Sequence, residues 1–316
     1  MSSSLTPALS VVVPVYNEQG NVIPLCTEIG EVMNALRRPF EMIFVNDGST
    51  DATLAQLREF AATEPRLRIL DLDGNFGEAG ALSAGFQAAR GGLVVTMDGD
   101  GQNDPHDIPG LLERIDPDRG CMVVSGRRFE RKEGMLLRVL PSRVANWLIA
   151  TVSGLPTHDN GCGLKVYRHS VVAAATVPRG WNRFLPALFG VWPEQVAEVP
   201  VSDRRRQHGQ SHYGFSRTLI VMRDLLALRF IMADAQRSEP AAATVAMAGV
   251  AGLVYGLGHS LSLAVFSAVV GVVALLIWRN LRRYNQALRQ GVFRIRREYT
   301  GMVVETETRD QKPSLS

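Results

Sequence analysis

The sequence predicts an α/β domain, a mostly parallel sheet with helices on both faces, followed by two membrane-spanning helices. Three observations point there. Short apolar runs alternate with helical stretches through the first half, carboxylates cluster where those runs stop, and Ala241 to Trp278 holds no Asp, Glu, Lys or Arg. With 316 residues, 46% of them hydrophobic, the chain can build one large α/β domain plus an appendage. A net charge of +3 is too small to argue for nucleic acid as a partner. Arginines concentrate late in the chain, whereas the acidic turns come early. Cys26, Cys121 and Cys162 are far apart and lack CxxC spacing, which supports neither a disulfide framework nor a zinc site. Met1 to Ser10 is polar, without the basic and apolar regions of a secretory signal, so the N-terminal part is expected in the cytoplasm.

Leu9 to Val15 is a β-branched run of the kind buried on both faces of a parallel sheet, and it stops at Tyr16-Asn17-Glu18. Gly20 to Leu36 reads as a helix. Phe40 to Val45 is a second buried strand ending in Asn46-Asp47-Gly48-Ser49-Thr50-Asp51, whose later polar residues can cap a helix over Ala52 to Ala62. A third strand over Leu67 to Leu72, a helix over Gly77 to Ala89 and a fourth strand over Leu93 to Met97 follow. The glycines of Gly74-Asn75-Phe76-Gly77-Glu78-Ala79-Gly80 are spaced three and three, not as in a dinucleotide fingerprint, so this stretch reads as a close-packed loop and helix start.

The fourth strand feeds Thr96-Met97-Asp98-Gly99-Asp100-Gly101-Gln102-Asn103-Asp104-Pro105. Two aspartates one residue apart, with glycines between and after, let carboxylates converge on a hard cation and its bound phosphates, which suggests Mg2+ or Mn2+. An EF-hand does not fit, because Asn103 and Pro109 stand where that loop needs Gly and Glu. In parallel sheets ligands sit beyond the carboxyl ends of the strands, where Glu18, Asp47 and Asp98/Asp100 all fall. Cys121 to Ser125 gives a fifth strand ending at Gly126-Arg127-Arg128, and Met135 to Ile149 a helix. Thr157 to Lys165 reads as a polar, glycine-rich loop in which Asp159 is either a turn residue or a site residue. Val196 to Val201 is a strand leading into the basic run Arg204 to Tyr213, whose sign suits an anionic acceptor.

A single helix over Ala241 to Trp278 would reach about 57 Å, against a hydrocarbon core of about 30 Å. A break at Gly256-Leu257-Gly258-His259-Ser260 resolves this, and Gly252 and Gly256 can let the two helices approach closely. Arg217, Arg223, Arg229 and Arg237 precede the pair, and Arg279, Arg282, Arg283 and Arg289 follow it, so both ends are expected in the cytoplasm. Phe215 to Ala233 is expected to lie at the interface with its arginines snorkelling. The resulting division is an α/β domain over residues 1–213, an interfacial helix over 214–238, two transmembrane helices over 239–279 and a basic tail over 280–316.

Val11-Val12-Val13-Pro14-Val15-Tyr16-Asn17-Glu18, Val45 to Asp51, the Asp98 to Pro105 turn, Ser125-Gly126-Arg127 and Arg206-x-x-Gly209-x-Ser211-x-Tyr213 together resemble family 2 glycosyltransferases of the GT-A fold. More narrowly, the chain resembles the polyprenyl-phosphate, dolichyl-phosphate mannose synthase-like branch. The resemblance implies a Rossmann-like GT-A catalytic domain and an inverting, metal-dependent transfer of a sugar from a UDP- or GDP-linked donor to a polyprenyl phosphate at the cytoplasmic membrane, with a homo-oligomer allowed. Pro14, Tyr16, Glu18, Val45, Asp47, Asp98, Gly99 and Asp100 would then line the nucleotide-sugar pocket, and Asp100 and Gln102 would hold the metal. Arg127, Arg206, Ser211 and His212 would bind the acceptor phosphate, with Asp100, Arg127 and Arg206 as the catalytic group. The alternatives are a non-phosphate acceptor (a glycan or lipid alcohol, with Asp159 as base) and a catalytically silent membrane scaffold.

Overall fold

The computed structural model describes residues 6–115, 120–128, 139–204, 216–300 and 306–307. The chain divides into two units, Met1–Leu140 with Leu155–His212 and Gly291–Ser316, and Pro141–Gly154 with Tyr213–Gln290.

The first unit opens with β1 (Leu9–Val15), α1 (Val22–Ala35), β2 (Phe40–Asn46), α2 (Thr53–Ala61), β3 (Leu67–Leu72), α3 (Glu78–Ala88) and β4 (Leu93–Thr96). After α4 (Ile108–Arg114) and β5 (Val123–Arg128) the chain forms α5 (Val139–Ser153), which lies largely in the second unit. It returns through β6 (Lys165–Arg168), the one-turn helices α6 (His169–Val172) and α7 (Leu185–Leu188), and β7 (Val196–Val201). The second unit continues with α8 (Ser216–His259) and α9 (Leu261–Gln290), after which β8 (Ile295–Thr300) and β9 (Thr306–Glu307) complete the sheet.

The sheet order is β7-β5-β6-β4-β1-β2-β3-β8-β9. β1 pairs in parallel with β2 and β4, β2 with β3, and β5 with β7. β6 runs against both β4 and β5, so those two are themselves parallel, and the ends of six strands open along one edge. Helices α1 and α2 bury Leu25, Ile29, Met33 and Leu57 on one face against Val11, Val13 and Met42. On the other face Phe86 of α3 meets Tyr167 and Phe189 edge-on, with ring centroids 5.6 and 6.0 Å away. Burial on both faces explains why β1 and β2 are mainly apolar, with Ser10 and Glu41 as the exceptions inside them.

Two expectations are corrected. Lys165, read as the end of a loop, instead begins β6, a strand too short for its alternation to register in the sequence. The segment 280–316, read as a tail, holds the last turns of α9 and then β8, which adds antiparallel to β3.

In the second unit α8 is interrupted at Asp234, the one residue with extended dihedrals (φ −176°). The Asp234 carboxylate accepts the N–H groups of Gln236 and Arg237 at 2.9 and 3.0 Å, so it caps a new helix start. The first helix therefore ends near the expected Ala233, five residues before the expected 238 boundary. Buried Asn280 and Asn285 of α9 donate to the carbonyls of Arg223 and Ala235 on either side of that break. The expected break before the second span lies at Ser260, between α8 and α9. Gly249, Gly252 and Gly256 face Gly271, Ser267 and Ala264 so closely that side chains there would overlap the partner helix. Val250, Val254, Leu257, Val265, Phe266 and Val269 point outward. Both helices are long and apolar enough to cross a membrane.

Candidate active site

The strand ends are laced together by side chains from neighbouring turns. Asn17, at φ 56°, donates its N–H to Ser49 Oγ at 2.9 Å and accepts the Thr50 N–H at 2.8 Å. Thr53 Oγ1 accepts the Glu18 N–H at 2.8 Å. The Glu18 carboxylate accepts Asn21 Nδ2 at 2.6 Å, while Tyr16 stands exposed at the rim. Thus the Ser-Thr-Asp stretch after β2 holds the turn after β1 as well as starting α2.

Asp47 is buried at the end of β2, and its two oxygens accept the N–H groups of Phe76 and Gly77 at 2.7 and 2.8 Å. Burial raises its carboxyl, while those N–H groups and the Arg179 guanidinium pull the other way. Val45 is fully buried within β2, so it can line a pocket only through its backbone.

The acidic turn is pressed onto β1. A Cβ on Gly99 would lie 2.7 Å from a Val15 methyl and 2.8 Å from the Pro14 carbonyl oxygen, so only glycine lets Asp98 and Asp100 approach Pro14. Asn103 Oδ1 accepts the Asp98 N–H at 3.0 Å, and Asp100 Oδ1 accepts the Gln102 N–H at 3.1 Å. On the other side Asp98 rests on Gly163, where a Cβ would overlap its carboxylate. Thr96 Oγ1 donates to the Gly163 carbonyl at 2.8 Å and locks that approach. Burial, then the charges of Glu78 and Asp100, push the Asp98 carboxyl up to about 8, against the opposing pull of Arg128 and Lys165. The all-oxygen set of Asp98, Asp100 and Gln102 at the end of β4 fits a hard divalent cation. Gly163→Ala is expected to displace Asp98 and to lower turnover by about a hundredfold with little change in melting midpoint, as parallel rate and unfolding measurements will read.

Arg127 is exposed at the end of β5, opposite Pro200 of β7. Its neighbour Arg128 turns inward, and Nε and Nη2 grip Asp159 at 2.7 and 3.0 Å. Glu198 accepts the Asp159 N–H at 3.3 Å. Lys165 Nζ, also buried, donates to the carbonyls of Cys162 and Asn160. The sequence did not single out Glu78, Arg128 or Lys165. Glu78 had a signal in the glycine-flanked start of α3; Lys165 had none, because its role depends on β6. Arg206, Ser211 and His212 lie outside the described residues. Glu28, Asp104 and His106 also cluster, but Arg204 closes that group at 2.7 Å from Glu28 and 2.6 Å from Asp104.

Residues 10–174 match glycosyl transferase family 2. The chain belongs to that family. It is 43% identical over 227 residues to dodecaprenyl-phosphate galacturonate synthase of Rhizobium johnstonii, covering 71% of this chain and 67% of that protein. An undecaprenyl-phosphate 4-deoxy-4-formamido-L-arabinose transferase of Edwardsiella ictaluri is 36% identical, over 69% of this chain and 66% of its own. One from Pseudomonas paraeruginosa is 37% identical, over 69% and 64%. The matched region thus spans about two thirds of these relatives' length. Among solved structures, glucosyl-3-phosphoglycerate synthase from Mycobacterium tuberculosis with Mn2+, UDP-glucose and phosphoglyceric acid superposes at a TM-score of 0.56. The two are 19% identical over 71% of this chain and 80% of that one, a likeness of fold. The chain is accordingly a glycosyltransferase with the GT-A architecture.

Proposed function

We propose that this glycosyltransferase moves a sugar from a nucleoside diphosphate donor to a polyprenyl phosphate at the cytoplasmic face of a membrane, with inversion. The observation that carries the reading is the packing of Gly99 on Pro14 and Val15, which sets Asp98 and Asp100 between the turn after β1 and the arginines that end β5. The names of the matched relatives, dodecaprenyl- and undecaprenyl-phosphate sugar transferases, support the acceptor class.

Pro14, Tyr16 and Glu18 line the nucleotide end, and Asp47 holds the neighbouring turn. Asp100 and Gln102, with Asp98 beside them, would hold Mg2+ or Mn2+, which supplies positive charge to the departing diphosphate. Arg127 would bind the acceptor phosphate, as would Arg206, Ser211 and His212, which lie outside the described residues. Such a phosphate, with a second ionisation near about 6, is largely dianionic at neutral pH and attacks without a general base. Asp159 supports this reading over an alcohol acceptor, because Arg128 engages both of its oxygens in a buried pair and commits it to structure rather than proton transfer. The arginines flanking α8 and α9 favour a cytoplasmic catalytic unit anchored by two spans.

The test is sugar transfer by the full chain in detergent, with Mn2+ or Mg2+ and a panel of labelled UDP- and GDP-sugars that includes UDP-galacturonate. Undecaprenyl phosphate and undecaprenol are compared as acceptors. Metal-dependent label is expected in the phosphate lipid only. Label in undecaprenol, or donor hydrolysis with no lipid product, would overturn the acceptor assignment.

A further inference from the structure

The chain leaves the second long helix at Gln290 and re-enters the catalytic unit at the donor end of the sheet. A Cβ on Gly80, in the first turn of α3, would lie 2.7 Å from the Val292 carbonyl oxygen and 2.7 Å from the Phe76 Cβ. The Arg294 carbonyl accepts the Asp73 N–H at 3.0 Å, and Arg294 Nη1 lies 3.2 Å from the Asp73 carboxylate. Arg296 grips the same turn twice. Its Nη2 donates to the Asp73 carbonyl at 3.1 Å, and its Nη1 lies 3.8 Å from Asp71 Oδ2. From there β8 pairs with β3, from Ile295 beside Leu72 to Thr300 beside Arg68.

The turn held this way is the one whose Phe76 and Gly77 N–H groups bind Asp47. Buried Asp71 passes the contact inward, because its Oδ1 accepts Asn46 Nδ2 at 2.8 Å. Asn46 Oδ1 accepts the Ser49 N–H at 3.3 Å, and Ser49 Oγ accepts the Asn17 N–H at 2.9 Å. One polar chain therefore runs from Arg296 through β3 and β2 to the turn after β1.

We propose that Val292 to Arg296 is a positioning strap for the donor pocket, in which Arg294 and Arg296 set nucleotide-sugar affinity by holding the β3–α3 turn against Asp47. The inference rests on the donor reading given above. Positioning of this kind acts on binding more than on the chemical step, since the strap touches neither the acidic turn nor the arginines of β5 in the described residues.

The full chain in detergent with Mn2+ is assayed for UDP and GDP binding and for transfer kinetics. The double variant Arg294→Ala, Arg296→Ala is expected to raise the donor KM and the nucleotide Kd about three- to tenfold, with kcat within about twofold and the lipid KM unchanged. Arg296→Lys is expected to recover part of the loss, because it restores the charge but not the two-pronged contact. Gly80→Ala, a change that favours a helix by itself, is expected to shift donor KM in the same direction. Glu298→Gln, also in β8 but paired with Arg68 rather than with the β3–α3 turn, is expected to lower the melting midpoint without moving donor KM. Unchanged donor KM and nucleotide Kd in the double variant would overturn the proposal, as would losses that only track its melting midpoint. A wild-type chain that binds neither UDP nor GDP would instead overturn the donor reading, and the strap with it.

Discussion

Replacing Asp100 with alanine is expected to lower sugar transfer by at least about a thousandfold while leaving the fold intact. At about 3 Å and an effective dielectric near 20, one unit charge pair is worth roughly 5 kcal/mol, enough for that loss if the carboxylate acts on the reacting charges. Stability should not follow activity. Asp100 is half-buried and its oxygen takes the Gln102 N–H, but its charge also helps hold the Asp98 carboxyl high. Removing that charge relieves a repulsion inside the folded chain. Transfer of labelled sugar to undecaprenyl phosphate, beside the melting midpoint of the same sample, checks both halves. A variant with transfer within about tenfold of wild type would remove Asp100 from the catalytic group.

The second large effect is on stability, at the opposite edge of the sheet. Arg68 of β3 is buried, with Nη1 2.6 Å from Glu41 and Nη2 2.7 Å from Glu298 of β8. Nη1 also donates to the Ala88 carbonyl at 2.9 Å, and Glu41 accepts Ser10 Oγ at 2.7 Å and the Arg90 N–H at 2.8 Å. Arg68→Met strands the buried Glu41 charge, and a broken buried pair costs about 3–5 kcal/mol. The double variant Glu41→Gln, Arg68→Met keeps an acceptor for Ser10 and Arg90 while removing the stranded charge. It is expected to regain more than half of the loss. Denaturant unfolding of the full chain in detergent reads both values, and equal midpoints for Arg68→Met and wild type would contradict the argument.

Much of the architecture was legible because β1, β2 and β3, in the middle of the sheet, are buried along nearly their whole length and are mainly apolar. The sequence-based limits of β1 and β3 coincide with the observed ones, as do those of β7, whose middle is only partly buried. The acidic turn was legible too, since glycines beside closely spaced aspartates at a strand end have few other uses. The break before Ser260 followed from the length of an uncharged stretch against the thickness of a bilayer. β6 and β8 were not legible. β6 has four residues, and β8 reads Ile-Arg-Arg-Glu-Tyr-Thr, a polar strand between β3 and the two-residue β9 whose apolar content gives no signal. The pairing of Arg68 with Glu298, 230 positions apart, has no local trace at all.

By itself the sequence determined the kind of sheet, the strand ends at which the carboxylates gather, the oxygen donors of the acidic turn and the existence of two long apolar helices, all consequences of local periodicity and of burial. Tertiary structure alone decided that Arg128 closes on Asp159, that Gly163 supports Asp98, and that the chain beyond α9 returns to grip the turn under Asp47. Those contacts depend on which distant strands become neighbours, and the free energy that selects them is the burial of whole faces rather than any property of the residues that meet there.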